Sequence, residues 1–118
     1  MSRILLIDDD EDMLAITERW LKKAGYETDT ASSGKAALEY LGENTPDLIL
    51  LDYAMPEMDG PAVLKAVRSN PGLDGIKILY RSGMDYGDID RDGGGADGVV
   101  PKSEGKPGLI KAVEEALS

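Results

Sequence analysis

The chain has 118 residues and a formal net charge of −10, with 23 acidic and 13 basic side chains. This length is usual for one compact domain, so we treat residues 1–118 as a single domain. The acidic balance argues against direct binding to nucleic acid or to a membrane surface, since both need clustered Lys and Arg. Cysteine and histidine are absent, which excludes disulfides, thiolate metal sites and catalysis by a histidine of this chain.

The sequence contains no evident targeting or membrane-spanning segment. The first apolar run, residues 4–7, is too short for a signal peptide and is followed at once by acidic residues. No run approaches the roughly 20 apolar residues of a membrane helix. We therefore expect a soluble protein of the cytoplasm.

Five short segments are predicted to be strands. Four are apolar runs without regular polar alternation, which is typical of strands buried on both faces of a parallel sheet. These runs are residues 4–7, 48–51, 76–80 and 99–100. The fifth segment, residues 26–30, alternates polar and apolar side chains and is expected at an edge of the sheet.

Helical periodicity lies between the strands. The apolar stripes are Met13, Leu14, Thr17, Trp20, Leu21 and Ala24; Ala37, Leu38 and Leu41; Val63, Leu64 and Val67; and Leu109, Ile110, Val113, Ala116 and Leu117. Gly25 is placed to end the first helix, and Ser32 or Ser33 to cap the second. Pro61 and Pro107 suit first helical turns.

Residues 85–96 contain three consecutive glycines and few apolar side chains. Because each helical glycine costs about 1 kcal/mol relative to alanine, this segment is expected to be a weak, shortened helix or a mobile loop. The alternation of strands and helices predicts an α/β fold with a parallel sheet and helices on both faces. We predict a flavodoxin-like three-layer sandwich with strand order 2-1-3-4-5.

Polar residues follow the predicted strands at one edge of the sheet, where ligands bind in open parallel sheets. They are Asp8, Asp9 and Asp10 after the first strand, Asp52 after the third, Ser82 after the fourth and Lys102 after the fifth. Two carboxylates about 4 Å apart repel by roughly 4 kcal/mol at an effective dielectric constant of 20, so either a cation or raised pKa values of the carboxyl groups must offset the repulsion. Oxygen ligands without His or Cys favour Mg²⁺ over Zn²⁺.

The order and spacing of these residues resemble the response-regulator receiver domains of two-component signalling, over essentially the whole chain. The motifs that carry the resemblance are Ile7-Asp8-Asp9, Leu51-Asp52, Met55-Pro56, Met58-Asp59-Gly60, Ser82, and the segment from Gly95 to Lys102. The resemblance implies that Asp52 is the phosphoacceptor. It also implies that Asp9 ligates Mg²⁺ directly, Asp8 through water, and Ala54 through its carbonyl oxygen.

By the same resemblance, Lys102 pairs with the phosphoryl oxygens and Ser82 donates a hydrogen bond to them. The implied partners are a histidine kinase or histidine phosphotransfer protein and a downstream protein target, with the chain a monomer or weak dimer. It would promote its own phosphorylation and dephosphorylation but act mainly as a signalling module. Two departures concern the output. Ser103 follows Lys102 where proline is usual, so a trans peptide is expected, and Val99 replaces a common aromatic residue.

Three alternatives remain. A phosphohydrolase of the haloacid-dehalogenase type would use Asp8 as nucleophile within Asp8-Asp9-Asp10, but it leaves Asp52 without a role. A receiver-like module could bind proteins without phosphorylation, although the complete acidic set argues against it. A flavodoxin-like FMN site is the weakest alternative, because acidic residues occupy the place of a phosphate-binding loop. The chain could also be a receiver from a longer hybrid kinase.

Overall fold

A computed structural model describes residues 2–83 and 96–118. Its strands are β1 (Arg3–Ile7), β2 (Glu27–Ala31), β3 (Leu48–Asp52), β4 (Lys77–Ser82) and β5 (Gly98–Pro101). Its helices are α1 (Glu11–Lys23), α2 (Gly34–Leu41), α3 (Gly60–Arg68) and α4 (Gly105–Leu117), with short 3₁₀ turns at Pro71–Leu73 and Lys102–Glu104. The sequence prediction for residues 85–96 lies outside the described residues, apart from Ala96.

The five strands form one parallel sheet in the order β2-β1-β3-β4-β5, which confirms the predicted topology. The alternating strand, β2, is at an edge as expected. The chain runs from β1 outward to β2 and then crosses to β3 on the other side of β1. The carboxyl ends of β1 and β3 therefore meet at the switch in strand order.

Within residues 2–83 and 96–118, two helices pack on each face of the sheet. One core cluster joins alternate strand residues, including Leu5, Ile49 and Ile78, to α2 and α3. The other joins the intervening residues, including Leu6 and Leu50, to α1 and α4. This alternation assigns each strand side chain to a face and fixes which residues can meet at the carboxyl edge.

The ends of α1, α2 and α3 follow the expected capping chemistry. Ser33 caps α2, since its hydroxyl accepts a hydrogen bond from the backbone nitrogen of Ala36 at 3.1 Å. Asp59 caps α3 in the same way, with Pro61 in the first turn. Gly25 follows α1 with a φ of 98°, a conformation that glycine adopts readily. Among the described residues, no helix is both long and apolar enough to span a membrane.

Candidate functional site

Three carboxylates meet at the carboxyl edge of the sheet. Asp8 directly follows β1 and Asp52 ends β3, and the register pairs Ile7 with Leu51, so the two acids follow neighbouring strands side by side. Asp8 and Asp52 are only 5% and 6% exposed, whereas Asp9 is exposed. One carboxylate oxygen from each of Asp8, Asp9 and Asp52 lies within 4.8 Å of the others. The predicted acidic cluster is therefore assembled.

Lys102 joins two of these acids. Its Nζ lies 3.3 Å from Oδ2 of Asp8 and 3.3 Å from Oδ1 of Asp52. The lysine directly follows Pro101, the last residue of β5, so the end of that strand delivers its side chain to the acidic edge. One ammonium group neutralises only part of the charge of three carboxylates, so the cluster retains excess negative charge.

The electrostatic consequence appears at Asp52. Burial, and then the negative charge of Asp8, raise the pKa of the Asp52 carboxyl to about 7, although Lys102 opposes the shift. A divalent cation bound here would offset both effects, because its charge stabilises the ionised form of Asp52. The donors are carboxylate oxygens, which suit Mg²⁺. Asp8, Asp9 and Asp52 would hold it, and their proximity and charge fit that role.

Asp10 caps helix α1 and is not one of the three clustered acids. Its Oδ1 accepts hydrogen bonds from the backbone nitrogens of Asp12 at 3.0 Å and Met13 at 3.1 Å, so Asp10 caps α1. Its own backbone nitrogen donates to Oδ1 of Asp8 at 2.9 Å. This backbone bond orients the Asp8 carboxylate. Because the Asp10 side chain caps α1, the phosphohydrolase alternative loses the second acid of its Asp-x-Asp pair.

Ser82 and Ala54 lie at the same edge of the sheet. Ser82 ends β4 and is only 3% exposed. It pairs with Pro101 of β5 and directly follows Arg81, the residue that pairs with Asp52. Ala54 is exposed in the loop after β3, two residues beyond Asp52. Their roles toward a phosphoryl group and a metal stay predictions from the resemblance.

The loop after Asp52 is held closely against β3. The backbone nitrogen of Gly60 donates to the carbonyl oxygen of Tyr53 at 2.9 Å, and the backbone nitrogen of Tyr53 donates to the carbonyl oxygen of Arg81 at 3.1 Å. These bonds hold the backbone directly after Asp52, while the pairing of Leu51 with Ile7 and Tyr80 holds the backbone directly before it. The acid therefore has a defined direction before any ligand binds.

Comparison with known proteins decides the family. The family model described as "Response regulator receiver domain" matches residues 4–114. The chain belongs to this family. Chemotaxis protein CheY4 of Vibrio cholerae superposes on the receiver domain with a TM-score of 0.94 at 29% identity, covering 99% of each chain. Response regulator TrrA of Thermotoga maritima gives a TM-score of 0.89 at 32% identity, covering 99% of this chain and 100% of TrrA.

Curated relatives include longer regulators. The CpxR homolog of Haemophilus influenzae is 33% identical over 120 aligned residues, which cover 99% of this chain and 51% of the relative. Transcriptional regulatory protein PrrA of Mycobacterium bovis is 48% identical over 67 residues, 57% of this chain and 29% of PrrA. The receiver domain thus spans about half or less of these two proteins.

The two departures noted in the sequence have structural counterparts. All peptide bonds of the described residues are trans, which confirms the expectation for the bond between Lys102 and Ser103. Val99 packs against the α2–α3 core cluster that contains Tyr53 and Tyr80. The two tyrosine rings meet edge to face, with centroids 5.2 Å apart, so the aromatic contact beside the receiver's acidic edge joins β4 to the loop after β3.

Arg81 is buried within β4, only 4% exposed, and was not among the site residues predicted from the sequence. Its Nη1 donates to Oγ1 of Thr17 in α1 at 2.8 Å. The available signal was a charged residue directly between the apolar run 76–80, expected to be a strand buried on both faces, and the candidate site residue Ser82. Such a position requires a compensating partner for the charge.

Proposed function

We propose that the receiver domain accepts a phosphoryl group on Asp52 from a phosphohistidine of a partner protein. The observation that carries the proposal is the contact of Lys102 with both Asp8 and Asp52 inside the three-acid cluster. An ammonium group and a metal-competent acid pair flank one carboxylate. That arrangement suits a reaction in which negative charge accumulates around the attacking oxygen.

In the proposed transfer, an oxygen of Asp52 attacks phosphorus while the bond from phosphorus to the donor imidazole nitrogen breaks. Lys102 neutralises the phosphoryl oxygens, and the Ser82 hydroxyl donates a hydrogen bond to them. Mg²⁺, held by Asp8, Asp9, Asp52 and the carbonyl oxygen of Ala54, would supply further charge neutralisation. Attack by water on phosphorus later restores the carboxylate and releases inorganic phosphate.

The comparisons support this proposal through related proteins. The TrrA structure is a complex with Mg²⁺ and BeF, and TrrA matches this chain over nearly its whole length. Receiver domains of the family interact with histidine kinases and downstream effectors. For this chain we propose a histidine kinase or histidine phosphotransfer protein as donor, a protein target and action in the cytoplasm, as a monomer or weak dimer.

The test is incubation of the intact chain with Mg²⁺ and acetyl phosphate, followed by mass spectrometry. We expect the mass of one added phosphoryl group in the wild type and none in D52N. D12N is the matched control, because Asp12 is exposed in the first turn of α1. It should be labelled like the wild type.

The alternatives give different outcomes in the same experiment. Labelling that survives D52N but disappears in D8N would support the phosphohydrolase. A complete lack of labelling in the wild type, with acetyl phosphate and with a phosphorylated histidine donor, would support a module that acts without phosphorylation. Either result would overturn the proposal.

A further inference from the structure

Arg81 lies in one row with the two buried acids of the site. The register pairs Asp52 with Arg81, while Ile7 and Leu51 pair immediately before Asp8 and Asp52. Leu50 and Leu79 belong to the core cluster under α1 and α4. Side chains two positions along a strand share a face. Asp8, Asp52 and Arg81 therefore project on the same face from three adjacent strands, β1, β3 and β4.

The guanidinium group is buried without full hydrogen bonding. Its Nη1 bonds the neutral hydroxyl of Thr17, and its Nε is buried with no hydrogen-bond partner among residues 2–83 and 96–118. Burial lowers the pKa of Arg81, and the charges of Asp8 and then Asp52 oppose that effect. An arginine keeps its positive charge in proteins. The nearby carboxylates are therefore the compensation for a charge whose burial is costly.

A small cavity lies between Arg81 and the acid on β1. It has a volume of about 10 Å³ and is lined by Asp8, Thr17 and Arg81 together with apolar residues of β1, β3 and α1. That volume is close to the minimum for one water molecule, and the three polar side chains would offer such a water enough partners. The cavity thus has room for one water molecule that could bridge the guanidinium and Asp8.

We propose that Arg81 is a built-in cation of the acidic site, which holds Asp8 in place from the α1 side and shares the neutralisation of the carboxylates with Mg²⁺. Lys102 contacts Asp8 from the β5 side, so the acid lies between two cations. The part that concerns Mg²⁺ rests on the proposed function. The electrostatic coupling of Arg81 to Asp8 does not.

The coupling is tested in metal-free protein by urea unfolding of D8N, R81M and the double variant, at about pH 8 with a chelator. R81M should raise the unfolding constant in both backgrounds. We expect the increase to be about tenfold larger with Asp8 present than in D8N, where the charge of Asp8 has been removed. R81K should restore most of the coupling. With D12N in place of D8N, the effect of R81M should stay unchanged.

A second neutral variant guards against simple misfolding. R81Q retains a donor for Thr17 and should show the same coupling to D8N as R81M does. The proposal would be overturned if R81M and R81Q each changed the unfolding constant by the same factor in the wild-type background as in the D8N background. So would a loss in R81K as large as in R81M, because the role would then belong to the shape of arginine rather than to its charge.

The second measurement is Mg²⁺ binding by calorimetry. A cation removed from beside a cation site strengthens binding, so R81M and R81Q should bind Mg²⁺ about tenfold more tightly than the wild type, and R81K about equally. Unchanged or weaker binding in both neutral variants would overturn the shared neutralisation. Absence of Mg²⁺ binding in the wild type would instead refute the metal site of the proposed function, while the unfolding cycle still decides the coupling.

Discussion

Gly60 lies so close to Asp52 that a Cβ added to the glycine would be 2.7 Å from the backbone carbonyl oxygen of the acid. The same Cβ would be 2.8 Å from Cα of Tyr53, so both clashes are with backbone that cannot rotate away. We predict that G60A destabilises the protein by about 1–3 kcal/mol. It should also slow labelling by acetyl phosphate, because the loop after Asp52 must move.

The matched control for this prediction is G75A. A Cβ at Gly75 would meet nothing within 4 Å, so G75A should change the free energy of unfolding by less than about 0.5 kcal/mol. Urea unfolding and the labelling rate should be measured for both variants. Equal effects of the two substitutions would show that the close approach of Gly60 to Asp52 is unimportant.

The sequence predicted the assembly of Asp8, Asp9, Asp52 and Lys102 because each follows a strand and parallel strands end at one edge. It could not predict Arg81 as part of the same row. That placement depends on the exact pairing of β3 with β4, which apolar periodicity does not determine. The separate role of Asp10 as a cap was equally hidden, since Asp8, Asp9 and Asp10 look alike until the start of α1 is known.

Glu57 has a φ of 65° and is the sole non-glycine residue with positive φ among the described residues. The backbone nitrogen of Met58 donates to the carbonyl oxygen of Pro56 at 2.7 Å, which closes a tight turn around Glu57. Asn tolerates this conformation better than Glu. E57N should therefore stabilise the protein by about 0.5–1 kcal/mol, measured by urea unfolding.

The control for this prediction is E39N within α2, which should destabilise by a few tenths of a kcal/mol because Asn is a poorer helix former. Stabilisation by both substitutions would mean that the gain at position 57 comes from lost negative charge rather than from relief of strain.

The raised pKa of Asp52, about 7, predicts a pH-dependent stability of the metal-free protein. Between about pH 4 and pH 7 the unfolded chain releases this proton while the folded protein keeps it, so the free energy of unfolding contributed by this group falls as pH rises. Above about pH 7 the contribution is constant. D52N should be more stable than the wild type at about pH 8, and their difference should shrink toward about pH 4.

The measurement is urea unfolding of both proteins across this pH range with a chelator present. Comparison with D52N cancels the titration of the other carboxyl groups as far as they act independently. A constant difference between the two proteins at all pH values would contradict the prediction. Added Mg²⁺ should reverse the order at about pH 8, because it binds the ionised site of the folded wild type.

The ion pair between Arg68 and Asp97 connects the end of α3 to the residue before β5. Nη2 of Arg68 lies 2.9 Å from Oδ2 of Asp97, which also accepts a hydrogen bond from the backbone nitrogen of Ile78 at 2.8 Å. Nη1 of Arg68 donates to the carbonyl oxygen of Ile76 at 2.8 Å.

Because both side chains of this ion pair are partly screened by water, at 25% and 35% exposed, we expect a coupling of up to about 1 kcal/mol between Arg68 and Asp97. A double-mutant cycle of R68M and D97N by urea unfolding measures it, and the coupling should weaken as salt is raised. The surface pair of Lys22 and Glu18, 3.5 Å apart on α1, is the control and should couple by no more than about 0.5 kcal/mol. Additive effects of R68M and D97N would show that Asp97 acts only through the backbone nitrogen of Ile78.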